Sequence, residues 1–173
     1  MVINYFELFG LEAQFEVPNH ELTTRYRALL HAVHPDRFSH GSQSEQAQAV
    51  MKSAQINDAF ACLKDPIRRA EHLLALSGIE LEDEATTVKD TQFLMAQMQW
   101  REDLDTLRQA AQPESELARM QAQIHQDKRA QIDALAQALQ QERWHDATTW
   151  IFKLKFLFKL EQELEKIEDS LLD

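Results

Sequence analysis

Apolar residues recur along this chain at helical spacing. Leu22, Tyr26, Leu29, Leu30 and Val33 fall at i, i+4, i+7, i+8 and i+11, one face of an amphipathic helix. Pro35 ends it near His34, because proline disfavours the α conformation in the residue before it. Upstream, Asn4–Leu11 is a short apolar segment of one or two turns, and Asn19 is a candidate N-cap. Downstream, Ser42 and Glu45 have capping-box spacing, and Ile56, Ala59, Phe60 and Leu63 give a second long helix its inner face. Asp65-Pro66 starts a short helix that Gly78 closes. Residues 79–86 carry no period and form the best boundary. Thr87 and Asp90 repeat the capping spacing ahead of a helix expected to reach about Gln112, before Pro113. A further helix carries Leu117, Met120, Ile124, Leu135 and Leu139. A last one carries Leu157, Leu164 and Leu171, seven apart. No Gly or Pro lies in Gln140–Arg143, so local signals leave a break or a continuous helix open there.

These elements predict an all-α protein: an antiparallel helical hairpin with short flanking helices over residues 1–76, a junction at 77–85, and a three-helix bundle over 86–173. With only three Gly and four Pro in 173 residues, a turn-rich sheet protein is a poor fit.

Charge divides the same way. Residues 1–76 hold seven Lys/Arg and nine Asp/Glu; residues 77–173 hold eleven and twenty. The net charge of -11 disfavours nucleic acid and anionic membranes as partners. One cysteine, Cys62, allows neither an internal disulfide nor a cysteine-built metal centre, and its apolar setting predicts a buried thiol. No membrane-length apolar run and no basic leader is present, so the expected setting is the reducing cytoplasm. His31, His34 and His40 lack a carboxylate at ligand spacing, so no metal is expected; His72, His125 and His145 read as surface or boundary residues. No Gly-rich phosphate loop suggests a nucleotide site, and neither a cofactor nor catalysis is expected.

The tripeptide His34-Pro35-Asp36 sits between the two long helices of the first half. It is preceded by Asn4-Tyr-Phe-Glu-Leu-Phe-Gly-Leu11 and followed by Arg37-Phe38 and Ile56-Asn-Asp-Ala-Phe-Ala-Cys-Leu-Lys-Asp65. In this order the segments resemble the J domain of co-chaperones that serve DnaK-class chaperones. The resemblance implies that His34, Pro35 and Asp36 stimulate ATP hydrolysis by the chaperone, and that Arg25, Arg27 and Arg37 meet its acidic surface. That is fewer basic residues than the family often shows. Pro66-Ile-Arg-Arg-Ala-Glu-His-Leu-Leu74, Val88-Lys-Asp-Thr-Gln-Phe-Leu-Met95 and Trp100-Arg-Glu-Asp-Leu104 extend the likeness over nearly the whole chain, to the HscB family of iron–sulfur cluster assembly. The partners this implies are the DnaK-like chaperone HscA and the scaffold protein IscU.

Helix geometry adds an independent observation. At about 100° per residue, Phe93, Gln97, Trp100, Leu104, Leu107 and Ala111 share one stripe. Leu94, Met95 and Met98 centre roughly 150° away, with Glu102 among them. Apolar residues facing outward need a cover. Phe152 and Phe156, four apart, also lie off the stripe of the last helix. The HscB resemblance implies a scaffold-binding patch of Leu94, Met95, Met98, Gln99, Glu102 and Phe156, with Gln99 and Thr106 standing where relatives can carry Glu. The alternative covers are the first domain or a second copy of the chain.

Overall fold

A computed structural model describes residues 2–81, 90–110 and 113–172, and all regular structure in them is helical. The contacts divide into two units, Met1–Glu80 and Leu81–Asp173.

In the first unit Asn4 accepts from the N–H groups of Phe6 and Glu7 and starts α1, Tyr5–Leu8. α1 stops on Gly10 at φ 62, with Leu11 N–H donating to Phe6 O and Gly10 N–H to Glu7 O, both at 2.9 Å. That left-handed stop favours glycine, and an added Cβ would meet Nη1 of Arg25 at 3.1 Å. Next come α2 (Asn19–Val33), a 3-10 turn (Pro35–Phe38), α3 (Gln43–Lys64) and α4 (Pro66–Leu76). Asn19 is the first helical residue rather than the expected cap; Pro18 takes the cap position, its fixed φ of -65 already suited to it. The Ser42–Glu45 capping box is fully formed, with Ser42 N–H donating to Glu45 Oε2 at 2.7 Å and Glu45 N–H to Ser42 Oγ at 3.3 Å. Asp65 caps α4 through the Arg68 N–H at 2.9 Å, with Pro66 first in the helix.

α2 and α3 form the antiparallel hairpin. Tyr26 donates to Asn57 Oδ1 at 3.0 Å and stacks on Phe60 at 4.0 Å, while Ser53 Oγ, one turn earlier on α3, donates to Val33 O at 3.3 Å. Phe6, Phe9, Leu22, Ile56, Ala59 and Leu63 fill the core between them and α1. Burying each of the larger side chains contributes about 1.5–3 kcal/mol. Cys62 is buried, as its setting predicts, and its thiol donates to Arg68 O at 3.4 Å. His72 departs from expectation. It is only 8% exposed, sandwiched against the rings of Tyr5 and Phe6, and its Nε2 accepts the Tyr5 N–H at 3.2 Å. An imidazole can enter a core when it is neutral and its acceptor is used.

In the second unit Asp90 caps α5 (Thr91–Gln109) through the N–H groups of Gln92 and Phe93. Thr87, Ala111 and Gln112 lie outside the described residues, and α5 ends three residues short of the expected Gln112. α6 (Glu114–Gln140) follows Pro113, and α7 (Trp144–Leu172) completes the bundle. Lys153–Asp90 at 2.7 Å and Arg108–Glu163 at 3.8 Å show α5 and α7 running in the same direction. Lys128–Glu161 at 2.6 Å and Gln121–Glu168 at 2.8 Å set α6 against α7 in the opposite sense. Leu104 and Leu107, Leu117, Met120 and Ile124, and Leu157, Leu160 and Leu164 form their shared core.

Two expectations fail on α7. Leu171 is 45% exposed: residues seven apart drift about 20° per heptad on a straight helix, and Ile167 takes the inner position instead. Phe152 is buried, because Ala147, Thr148, Ile151 and Leu154 around it are buried as well, so this stretch is covered on more than one face. The ambiguous Gln140–Arg143 segment is a break without glycine. Glu142 takes φ 54, Arg143 N–H donates to Ala138 O at 2.8 Å, and Glu142 N–H donates to Leu139 O at 3.2 Å. That is the same stop that Gly10 and Gly78 make, here imposed on a residue with a Cβ.

Candidate functional site: an exposed turn and an exposed apolar face

Pro35 places the first candidate site. It forces His34 out of the helix to φ -57, ψ 132 and leads directly into the 3-10 turn. His34 Nδ1 accepts the Asp36 N–H at 3.3 Å and lies 3.5 Å from its carboxylate. The Asp36 side chain is 91% exposed. The turn is held from below by α3. Gln46 Nε2 donates to Ser39 O at 3.2 Å and to Gly41 O at 3.1 Å, and Ser53 holds the end of α2. Spacing does not single out Gln46 or Ser53, since polar residues on a helix beside a loop carry no period. An imidazole and a largely exposed carboxylate therefore stand together on a braced turn.

The arginines differ from one another. Arg37 is exposed, 3.4 Å from His31 Nδ1, and Arg27 is exposed. Arg25 is committed inward: its guanidinium donates to Phe9 O at 2.7 Å and also bonds Gly10 O and Glu21. It ties α2 to the stop of α1.

The second candidate lies on α5. Phe93, Leu104 and Leu107 are buried, while Leu94, Met95 and Met98 are 50%, 66% and 64% exposed. The two apolar faces therefore separate as the periodicity predicts. Gln99 and Glu102 are exposed beside them; Gln99 Nε2 donates to Asp103 Oδ1 at 2.9 Å, and Glu102 O accepts from Thr106 Oγ1 at 2.9 Å. Phe156 reaches the rim from α7, half-buried against the core, its ring edge-on to Phe93 at 5.6 Å. A rigid helix thus presents adaptable thioethers over a fixed aromatic base. Among the described residues no helix is long and apolar enough to cross a membrane, and no three His, Cys, Asp or Glu side chains converge as metal ligands.

Residues 89–165 match the family model of the HSCB C-terminal oligomerisation domain. The chain is 48% identical to the co-chaperone protein HscB homolog of Shewanella pealeana, over 99% of this chain and 100% of that one. The chaperone HscB from Vibrio cholerae superposes with a TM-score of 0.89 at 43% identity, covering 98% of this chain and 99% of the other. Human co-chaperone protein HscB superposes with a TM-score of 0.89 at 28% identity, covering 96% and 82%. With identity this high over the full length, the chain belongs to the HscB family of J-type co-chaperones.

Proposed function

We propose that the protein is a cytoplasmic two-site adaptor that binds the scaffold IscU and delivers it to the chaperone HscA, stimulating HscA's ATPase during iron–sulfur cluster assembly. It acts by binding alone, with no cofactor, metal or catalytic step of its own. Residues 1–76 serve as the J domain and residues 86–173 as the scaffold-binding domain, with 77–85 between them. His34, Pro35 and Asp36 engage the chaperone. Arg27 and Arg37 supply the exposed positive charge that steers docking, and Arg25 contributes mainly by positioning α2. Leu94, Met95, Met98, Gln99, Glu102 and Phe156 hold IscU. Joining the two sites in one chain raises the local concentration of client at the chaperone.

The observation that carries this reading is the exposure of Leu94, Met95 and Met98 on a helix whose other face buries Phe93, Leu104 and Leu107. Three large apolar side chains left in water on a rigid element mark a contact surface. Replacing both Leu94 and Met98 by Ala is expected to weaken IscU binding about 100-fold or more, as for central anchors of an interface. Titration calorimetry with purified IscU reads the loss. Undiminished affinity in the double variant would remove the patch from the reading.

A further inference from the structure

The open side of the α5–α7 seam carries a second feature, and it is electrostatic. On α7, Lys155, Lys159 and Lys166 fall at i, i+4 and i+11, one row. On α5, Leu94, Arg101 and Arg108 fall seven apart, another row. The contacts orient both. Phe93 meets Phe156, and Arg108 reaches Glu163, so these sides of α5 and α7 face each other. Lys128 and Gln121 of α6 meet Glu161 and Glu168 on a different side of α7. At about 100° per residue, the lysine row sits on the side of α7 away from α6, flanking the seam along which Leu94 and Met98 lie.

The pairing of these cations is unequal. Arg119, Lys128, Arg143 and Lys153 are all held in ion pairs, as is Arg108, by Asp105 at 3.0 Å. Arg101, Lys159 and Lys166 are exposed and have no hydrogen-bond or ion-pair partner among the described residues. In a half of the chain with eleven basic and twenty acidic residues, three of the exposed cations without a partner lie along one seam, while a fourth such cation, Arg129, lies on α6. Beyond those three the seam opens into a cavity of about 430 Å³ with Leu107 and Ile167 in its lining and Arg108, Lys166 and Glu163 among its polar groups, Glu163 being 3.8 Å from Arg108. Apolar patch, cationic row and part-apolar cavity follow one another along a single face.

We propose that this seam is a continuous docking track for an acidic segment of the scaffold partner. The segment's apolar anchors sit on Leu94 and Met98, and its carboxylates lie along Arg101, Lys159 and Lys166. This rests on the patch being the scaffold site and extends that site by a charge-reading strip.

The full-length protein is titrated with IscU at low and at high salt, as wild type, as Lys159→Glu/Lys166→Glu, and as Arg129→Glu, an exposed α6 cation elsewhere. The charge reversal is expected to weaken binding at low salt by about tenfold or more and to flatten the salt dependence. The milder Lys159→Gln/Lys166→Gln should fall between it and wild type, and Arg129→Glu should bind as wild type. Circular dichroism checks that each variant is folded. Unchanged binding by the reversed variant overturns the track. So does tighter binding, which would mean a basic segment. A change only in the protein's own sedimentation overturns it in favour of a second copy. Loss of binding in Leu94→Ala/Met98→Ala alongside unchanged binding in the lysine variants would reject the track and keep the patch. Full binding by the Leu94/Met98 variant would reject the patch reading itself.

Discussion

The His34–Asp36 turn and the Leu94–Met98 face are both exposed, yet opposite kinds of chemistry expose them. The turn is small and polar, and its shape comes from a proline that ends one helix and from Gln46 and Ser53 on another. The face is large and apolar, and its shape comes from a helix whose far side is locked into a core. A turn of this kind can present a few directional groups to one partner. A helix face can offer area and adapt to its cover. In the proposed function the first triggers the chaperone and the second holds the client.

The difference can be broken most forcefully from underneath. Leu107→Ala, directly behind the outward face, is expected to cost about 2–5 kcal/mol of stability through the cavity it leaves. Leu94→Ala with Met98→Ala should cost well under about 1 kcal/mol, since both side chains are already in water. Thermal or urea unfolding compares the two. Equal losses would mean that the outward face is structural.

Acid separates the two units next. Burial pushes the His72 imidazole below its ordinary value of 6.5, because the charged ring would be desolvated. The unfolded chain therefore takes up this proton at a higher pH than the folded one. The contribution is fully present above about pH 6.5 and is lost as pH falls from there toward the lower folded value. In the second unit the shifted carboxylates are Asp90, held low first by the Lys153 hydrogen bond, and Glu116, held low by Arg119. Their contributions are present above the ordinary carboxylate range and disappear only in stronger acid. Opening free energies from amide exchange, corrected for the intrinsic rate at each pH, should fall in the first unit before the second between pH 7 and about 5, and His72→Gln, which keeps an acceptor, should remove most of that early response. A simultaneous fall in both units would contradict it.

The smallest effect is at the α6–α7 stop. Glu142→Gly should stabilise the protein by about 0.5–1 kcal/mol, because glycine adopts φ 54 without a Cβ clash. A lowered melting temperature would show that the Glu142 side chain contributes more than its backbone strain costs.

The turn and the exposed face that form the two candidate sites were readable in the sequence through departures from a regular pattern: a proline inside a helical period, and apolar residues on the wrong face of α5. The caps at Ser42, Asp65 and Asp90 were readable because each is a local exchange within three residues. What escaped depends on distant partners. The burial of His72 needs Tyr5, far away in sequence, and the inward commitment of Arg25 needs the carbonyls after α1. The burial of Phe152 and exposure of Leu171 are set by what packs against α7, which the spacing within that helix does not encode. The Glu142 stop used a residue that carries no stop signal of its own.

The most direct test of the two-site account is the steady-state ATPase rate of HscA, with and without IscU, in the presence of this protein as wild type or as His34→Gln. The account predicts that wild type raises the rate, raises it further when IscU is present, and that His34→Gln does neither while still binding IscU. Equal stimulation by both forms, or none by either, would contradict it.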